Sequence, residues 1–210
     1  MRQFIVSLII LLQGFAATAQ DHEATIHFLD GTDVLGYASI KFIKESFYGM
    51  PKDKVSFRVT QDDEADLWDE ETISKVVFHG FGEPKTFEYI NVTYVDGTQA
   101  SLFQVIAPGE VTIYAEAAGV WDTEKDDLVP PQPRNLKAKR TAEKDFANLS
   151  NKKKITAYFK QCPGITDGLN SGTFNSRTLE EMVTYYNENC TGNVAGGEDK
   201  TPQHTAPVGE

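Results

Sequence analysis

The sequence predicts an α+β protein, an antiparallel β-sandwich or small open barrel of about seven strands followed by a disulfide-linked pair of C-terminal helices. Three observations predict it. Residues 24–117 run in short apolar stretches rich in Val, Ile, Phe and Tyr, broken by Asp-Gly and Pro-Gly turns. After Trp121 the chain turns acidic and then proline-rich, with Pro130, Pro131 and Pro133. Beyond Ile155, apolar residues recur at helical spacing in two stripes, each ending at a cysteine.

Taken in order, the first element is an export signal at residues 1–19. Arg2 supplies the charge, Phe4 to Leu12 an apolar run interrupted only by Ser7, and Ala17-Thr18-Ala19 a small-x-small cleavage site. That run is about half of the roughly 20 residues a spanning helix needs, so no membrane span is expected after cleavage. Lipid attachment requires a cysteine at the cleavage site, and Cys162 and Cys190 lie far from it. The expected location is therefore periplasmic or extracellular, without a lipid anchor.

Residues 20–121 read as the β domain. Ile26 and Phe28 lead into Asp30-Gly31-Thr32, after which Val34, Tyr37, Ile40, Phe42 and Ile43 resume the pattern. Asp-Gly between apolar runs signals a hairpin, because glycine takes the positive φ of a tight turn. Residues 55–60 and 74–78 are two further strands. Phe87, Ile90, Val92 and Tyr94 precede Asp96-Gly97-Thr98, and Leu102, Phe103, Val105 and Ile106 follow it. Pro108-Gly109 then turns the chain into Val111, Ile113 and Tyr114. The two Asp-Gly-Thr turns match only in the polarity of their flanks, and common hairpin chemistry explains them without an internal duplication.

Residues 122–140 read as a charged, proline-rich linker, because successive prolines withhold ladder and helix hydrogen bonds. The helical region follows at 141–190. Ile155, Tyr158, Phe159 and Cys162 fall at i, i+3, i+4, i+7, and Leu179, Met182, Val183, Tyr186 and Cys190 continue that rule. Ser150 or Asn151 is placed to cap the first helix, and Thr178 with Glu181 forms a capping box for the second. Pro163 and Gly164 are read as stopping the first helix. Residues 191–210 hold almost nothing apolar and are expected to be disordered.

In an exported chain Cys162 and Cys190 read as a structural disulfide. Zinc would need four ligands, and His22, His27, His79 and His204 show no ligand spacing with the cysteines or with one another. A redox pair would be a Cys-x-x-Cys. Both cysteines end their helices, so a simple antiparallel hairpin would hold them at opposite ends. The bond therefore demands either a steep crossing or a connection over residues 164–174 that sends the second helix back parallel to the first.

The net charge of −11 becomes one unit more negative when Arg2 leaves, which argues against nucleic acid or an anionic membrane as general partner. Seven of the ten residues 62–71 are acidic, whereas Lys137, Lys139, Arg140, Lys144 and Lys152 to Lys154 form a basic stretch. The acidic run lacks the EF-hand spacing and reads as a solvated loop, with Trp68 as a plug over the strand core. Cleavage would expose Gln20-Asp21-His22, whose amine and third-position imidazole can wrap Cu(II) or Ni(II) in a nitrogen square. No catalytic residues are assigned and no cofactor is expected, since the chain contains no G-x-S-x-G, H-E-x-x-H, P-loop or G-x-G-x-x-G.

Four segments carry a resemblance: the cleavage site at residues 17–20, V-T-I-Y at 111–114, Y-F-K-Q-C-P at 158–163 and Y-Y-N-E-N-C at 185–190. In these the chain resembles a group of uncharacterised exported proteins of Bacteroidetes that pair a β-rich N-terminal region with a cysteine-containing helical tail. The resemblance implies architecture and compartment, and transfers no active-site residue. The expected function is that of a non-enzymatic structural or interaction protein of the cell envelope with a protein partner. The alternative is a periplasmic small-ligand-binding or hydrolytic protein with a pocket inside the β core, lined by polar groups from Tyr89, Tyr94, Tyr114 or His79.

Overall fold

A computed structural model describes residues 21–44, 52–94, 97–132 and 135–191. The expected signal peptide and nearly all of the expected disordered tail lie outside these residues. The strands are β1 (His22–Phe28), β2 (Asp33–Ile43), β3 (Lys52–Arg58), β4 (Asp66–Trp68), β5 (Ile73–Phe78), β6 (Lys85–Tyr94), β7 (Gly97–Ala107), β8 (Val111–Glu116), β9 (Trp121–Asp122), β10 (Asp127–Leu128) and β11 (Leu136–Arg140). The helices are α1 (Lys152–Tyr158), α2 (Pro163–Ser171) and α3 (Leu179–Asn189). The class is α+β, as the sequence predicts.

The sheet corrects the expected strand count. Nine strands form one antiparallel sheet in the order β11-β8-β7-β6-β5-β1-β2-β3-β4, and β9 and β10 pair separately. It is not a closed barrel, nor is it divided into the two facing sheets of a sandwich. The additional strands come from places where charge obscured the pattern. β4 lies inside the acidic run, and β11 lies inside the basic stretch assigned to the linker. In β11 Leu136, Ala138 and Arg140 alternate with Lys137 and Lys139, the period of two that a half-buried strand needs, and they pair with Ala115, Ile113 and Val111 of β8. Within the expected linker, Asp122 and residues 127–128 therefore pair in the β9–β10 ribbon and residues 136–140 in the nine-stranded sheet.

The sheet rolls on itself, with β3 meeting β7 although they stand five places apart in strand order. Leu102 of β7 donates its backbone N–H to Asp53 Oδ2 of β3 at 2.7 Å, and the Tyr89 hydroxyl of β6 donates to the Asp53 carbonyl at 2.8 Å. The inner face buries Ile26, Ile40, Val55, Phe57, Ile73, Val76, Phe78, Phe87 and Leu102. Each such side chain contributes roughly 1.5–3 kcal/mol on leaving water. Trp121, from the β9–β10 ribbon, closes one end of the roll, its ring 5.0 Å from Phe78 and 6.1 Å from Phe87. Trp68 packs on the same core and meets Phe28 edge-on at 5.5 Å.

Both Asp-Gly-Thr segments fall between paired antiparallel strands. In the first, His27 pairs with Asp33, and the Asp30 side chain accepts from the Thr32 N–H at 2.9 Å, leaving Gly31 at φ 88°. In the second, Tyr94 pairs with Gly97, and the two residues between them lie outside those described. Asp96 lies outside the described residues.

Three helices replace the expected pair. Pro163 does not end the helical region. It opens α2 at its first position, where the missing N–H costs nothing and φ is already helical. α2 ends at Gly172 in the left-handed region, and α3 returns antiparallel, with Gly164 against Tyr185 and Cys162 against Cys190. Asn151 caps α1 by accepting from the Lys154 N–H at 3.0 Å. The Thr178 capping box does not form, because that hydroxyl accepts from the Asn175 N–H at 2.9 Å instead.

The helices pack on β8 and β11 around a second core of Val111, Ile113, Ala138, Ile155, Phe159, Ile165, Met182, Val183 and Tyr186. Two polar contacts fix that docking. The Asn187 side chain accepts from Val111 N at 3.1 Å and donates to Val111 O at 2.8 Å, as a neighbouring strand would. Arg140 donates to Glu110 at 2.9 Å, to the Tyr186 hydroxyl at 2.7 Å and to the Tyr158 carbonyl at 2.9 Å.

Candidate functional site

The residues singled out in the sequence do not converge on one site. Cys162 and Cys190 are disulfide-bonded with Cα atoms 5.6 Å apart. The bond joins the start of α2 to the end of α3, adjacent ends of an antiparallel pair. The connection over residues 164–174, expected to carry the second helix back beside the first, is itself largely helical. Phe159, just after α1, meets Tyr186 of α3 at 5.2 Å while Cys162 meets Cys190, the same chain order that a parallel arrangement of those two helices gives.

Of the three residues assigned to a Cu(II) or Ni(II) terminus, Gln20 lies outside the described residues. The Asp21 carboxylate pairs with Arg58 at 2.8 Å. The His22 ring lies 4.4 Å from Phe81, and its Nε2 contacts the carbonyl oxygen of Asp126. Among the described residues no group of three or more His, Cys, Asp or Glu is arranged to hold a metal.

Of the four residues offered for an internal pocket, Tyr89 and Tyr114 both border a cleft of about 710 Å³ with Glu88, Asn91, Lys139 and Glu143, and His79 does not line it. Tyr89 packs on the first core with its hydroxyl committed to Asp53. Tyr114 sits on the opposite face of the sheet with Ile90, Phe103 and Phe146. His79 Nε2 contacts the Thr25 hydroxyl at 2.9 Å, and the Tyr94 side chain is not among those described.

Two surfaces remain, neither of which the sequence assigned to a site. The first is the rim of the roll formed by the β1–β2, β3–β4 and β4–β5 connections. Leu29, Leu35, Val59 and Leu67 are 50–59% exposed there, and of the large exposed apolar residues described only Val129 lies elsewhere. Leu29 lies in the β1–β2 connection and donates its N–H to the Thr72 carbonyl, Leu35 lies in β2, Val59 directly follows β3, and Leu67 lies in β4 opposite Ser56. The acids of 62–71 lie in β4 and the connections on either side of it, between Val59 and Thr72 in the chain. Asp69 pairs with Lys54 at 3.3 Å, and Asp63 accepts from the Thr60 N–H at 2.8 Å. The basic stretch lies on the far edge of the sheet, where Lys137 pairs with Glu116 at 3.5 Å and Arg140 with Glu110, so the two charged regions do not neutralise each other through these contacts.

The second surface is a cleft of about 810 Å³ bordered by the end of β6, by β11, by residues 145–150 and by the first half of α3. It exists because residues 141–150 fold back over β11, with the Ala147 N–H donating to the Ala138 carbonyl at 2.8 Å. Its floor is apolar, with Leu136, Leu149, Ile155, Leu179 and Met182, and Lys137, Asp145 and Arg177 also border it.

Several titratable groups are strongly perturbed. Burial pushes the Asp53 carboxyl up to about 6, with Glu116 and Glu70 adding to the effect and the Leu102 N–H opposing it. Burial and the neighbouring Asp53 raise the Tyr89 hydroxyl well above its ordinary range. Tyr158 is raised by burial and by its 2.8 Å hydrogen bond to Glu143. Arg140 loses some stabilisation of its charge through burial, yet Tyr186, Tyr158 and Glu110 outweigh this and hold it above the usual arginine value. These groups bind one another and leave no nucleophile beside a free base.

No family model, curated protein or solved structure matches this chain. Among the described residues no helix is long and apolar enough to cross a membrane.

Proposed function

We propose that this chain is an exported, non-enzymatic interaction protein of the cell envelope, of the kind suggested by its resemblance to the uncharacterised exported proteins of Bacteroidetes. The carrying observation is that four of the five large exposed apolar side chains described lie in β1 to β4 and their connections, the stretch that also carries the acids of 62–71. Isolated exposed leucines are ordinary, but several in one acidic stretch suit a partner that is cationic around an apolar centre. The hydrogen bonds that already engage Asp53, Tyr89, Arg140 and Tyr158 support binding over catalysis. The disulfide suits an oxidising compartment, in keeping with the signal at residues 1–19.

The test is capture from envelope extract by the immobilised mature protein, compared with a Leu35→Asp, Leu67→Asp variant. A specific partner retained by the wild type, released by salt and lost with the variant is the expected result. Recovery of no partner, or equal recovery by both proteins, would overturn the reading.

A further inference from the structure

We propose that the cleft between residues 145–150, β11 and α3 binds an anionic amphiphile, with an aliphatic chain on the apolar floor and a carboxylate on Arg177. The cleft is a site separate from the rim, and its ligand class follows from its lining.

Size comes first. About 810 Å³ lies within the range of small-ligand sites, roughly 300–1,000 Å³, and exceeds what packing irregularities leave between elements. Ile155 is 2% exposed, Leu179 6% and Met182 0%, so they belong to the second core directly beneath the cleft, and the apolar surface open to a ligand is that of Leu136 and Leu149. An unbranched chain covering Leu136 and Leu149, both only part-buried, would remove further apolar surface from water at roughly 25 cal/mol per Å².

The charged groups select the head group. Lys137 is already engaged, with Glu116 at 3.5 Å and with the Phe103 and Phe146 rings at 5.0 and 5.3 Å. Arg177 is exposed and borders the cleft, and its backbone N–H donates to Asn175. Its guanidinium has no ion pair or hydrogen bond among the described residues, leaving a planar fork that suits a carboxylate. Asp145 also borders the cleft, so the lining is not uniformly cationic, which favours one anionic group over several. A medium-chain monocarboxylate satisfies size, floor and charge together.

Dodecanoate is the probe, titrated into the mature protein by calorimetry, with dodecanol as the uncharged comparison. Saturable binding with a dissociation constant of about 1–100 μM is expected, at least about tenfold weaker for dodecanol and for Arg177→Glu, and largely retained by Arg177→Lys. Location is read independently from the Met182 methyl resonance, which should shift on titration of the wild type. Arg177 is on the surface, so circular dichroism should show its variants folded, and Arg177→Gln serves if one is not. No saturable binding at about 1 mM, a Met182 methyl that does not move, or dodecanoate affinity unchanged in Arg177→Glu would each overturn the proposal.

Discussion

Asp53 Oδ2 accepts the Leu102 backbone N–H at 2.7 Å, joining strands that stand five places apart in the sheet. β8 pairs with β7 only as far as Phe103 opposite Glu116, so the first half of β7 has no strand on that side. A side-chain oxygen from β3 supplies the acceptor that a neighbouring strand would have provided. The arrangement closes the roll, but it buries a carboxyl close to Glu116 and Glu70.

That burial has a pH signature. The folded protein holds the Asp53 proton up to about pH 6, above the ordinary 3.8, so it binds this proton more tightly than the unfolded chain. The stability linked to it is fully present below the ordinary value and is lost as pH rises through about 6. Asp53→Asn keeps an acceptor for Leu102 and removes the charge. It should stabilise the protein by about 1–3 kcal/mol at pH 8 and be nearly neutral at pH 4, since a tenfold difference in proton affinity between the folded and unfolded chain is worth about 1.4 kcal/mol. Urea unfolding of both proteins at the two pH values checks this, and an equal effect at both would remove the charge explanation.

Cys162 and Cys190 close a loop of 28 residues that contains the whole α2–α3 pair. Replacing both by alanine should cost roughly 3.5 kcal/mol on the chain-entropy view. The loss should be local. Hydrogen exchange should rise first in α2 and α3, while the amides of β1, β5 and β6 retain their protection. Uniform loss of protection would mean that the helices and the roll unfold as one unit.

How legible the fold is depends on what each residue type signals by itself. The Asp-Gly turns, the β-branched runs and the paired cysteines are readable because their chemistry is local. β11 is not, since its two inward apolar residues, Leu136 and Ala138, lie among lysines and just after prolines, and its pairing with β8 is a tertiary fact. Pro163 misleads because proline is equally at home after one helix and at the start of the next. The cleft has no sequence signal at all. It arises from the return of residues 141–150 over β11, and Arg177 looks like any loop cation until that return is known.

Arg140 should be hard to replace. It donates to Tyr186, Glu110 and the Tyr158 carbonyl, and its guanidinium lies 4.6 Å from the Tyr158 ring centroid and 5.0 Å from that of Tyr186. Lysine would keep the charge but lose the fork and the stacking, so Arg140→Lys should cost about 2–3 kcal/mol and Arg140→Ala somewhat more. Chemical denaturation gives both values. A lysine variant as stable as the wild type would reduce the contact to simple charge pairing.

Gly36 lies within β2, and its lack of a side chain is a steric requirement. A Cβ there would meet the carbonyl oxygen of Arg58 and the ring of Phe57 across the β2–β3 pair. Gly36→Ala should therefore destabilise by about 2–3 kcal/mol, although alanine normally stabilises an ordered position by narrowing the unfolded ensemble. The two obstacles can be separated. Phe57→Leu takes away the ring but leaves the backbone oxygen, so in a double-mutant cycle it should recover only a minority of the alanine penalty. Full recovery would show that the ring alone excludes the methyl group. Little recovery would place the constraint in the backbone, where the close approach of β2 and β3 forces the glycine.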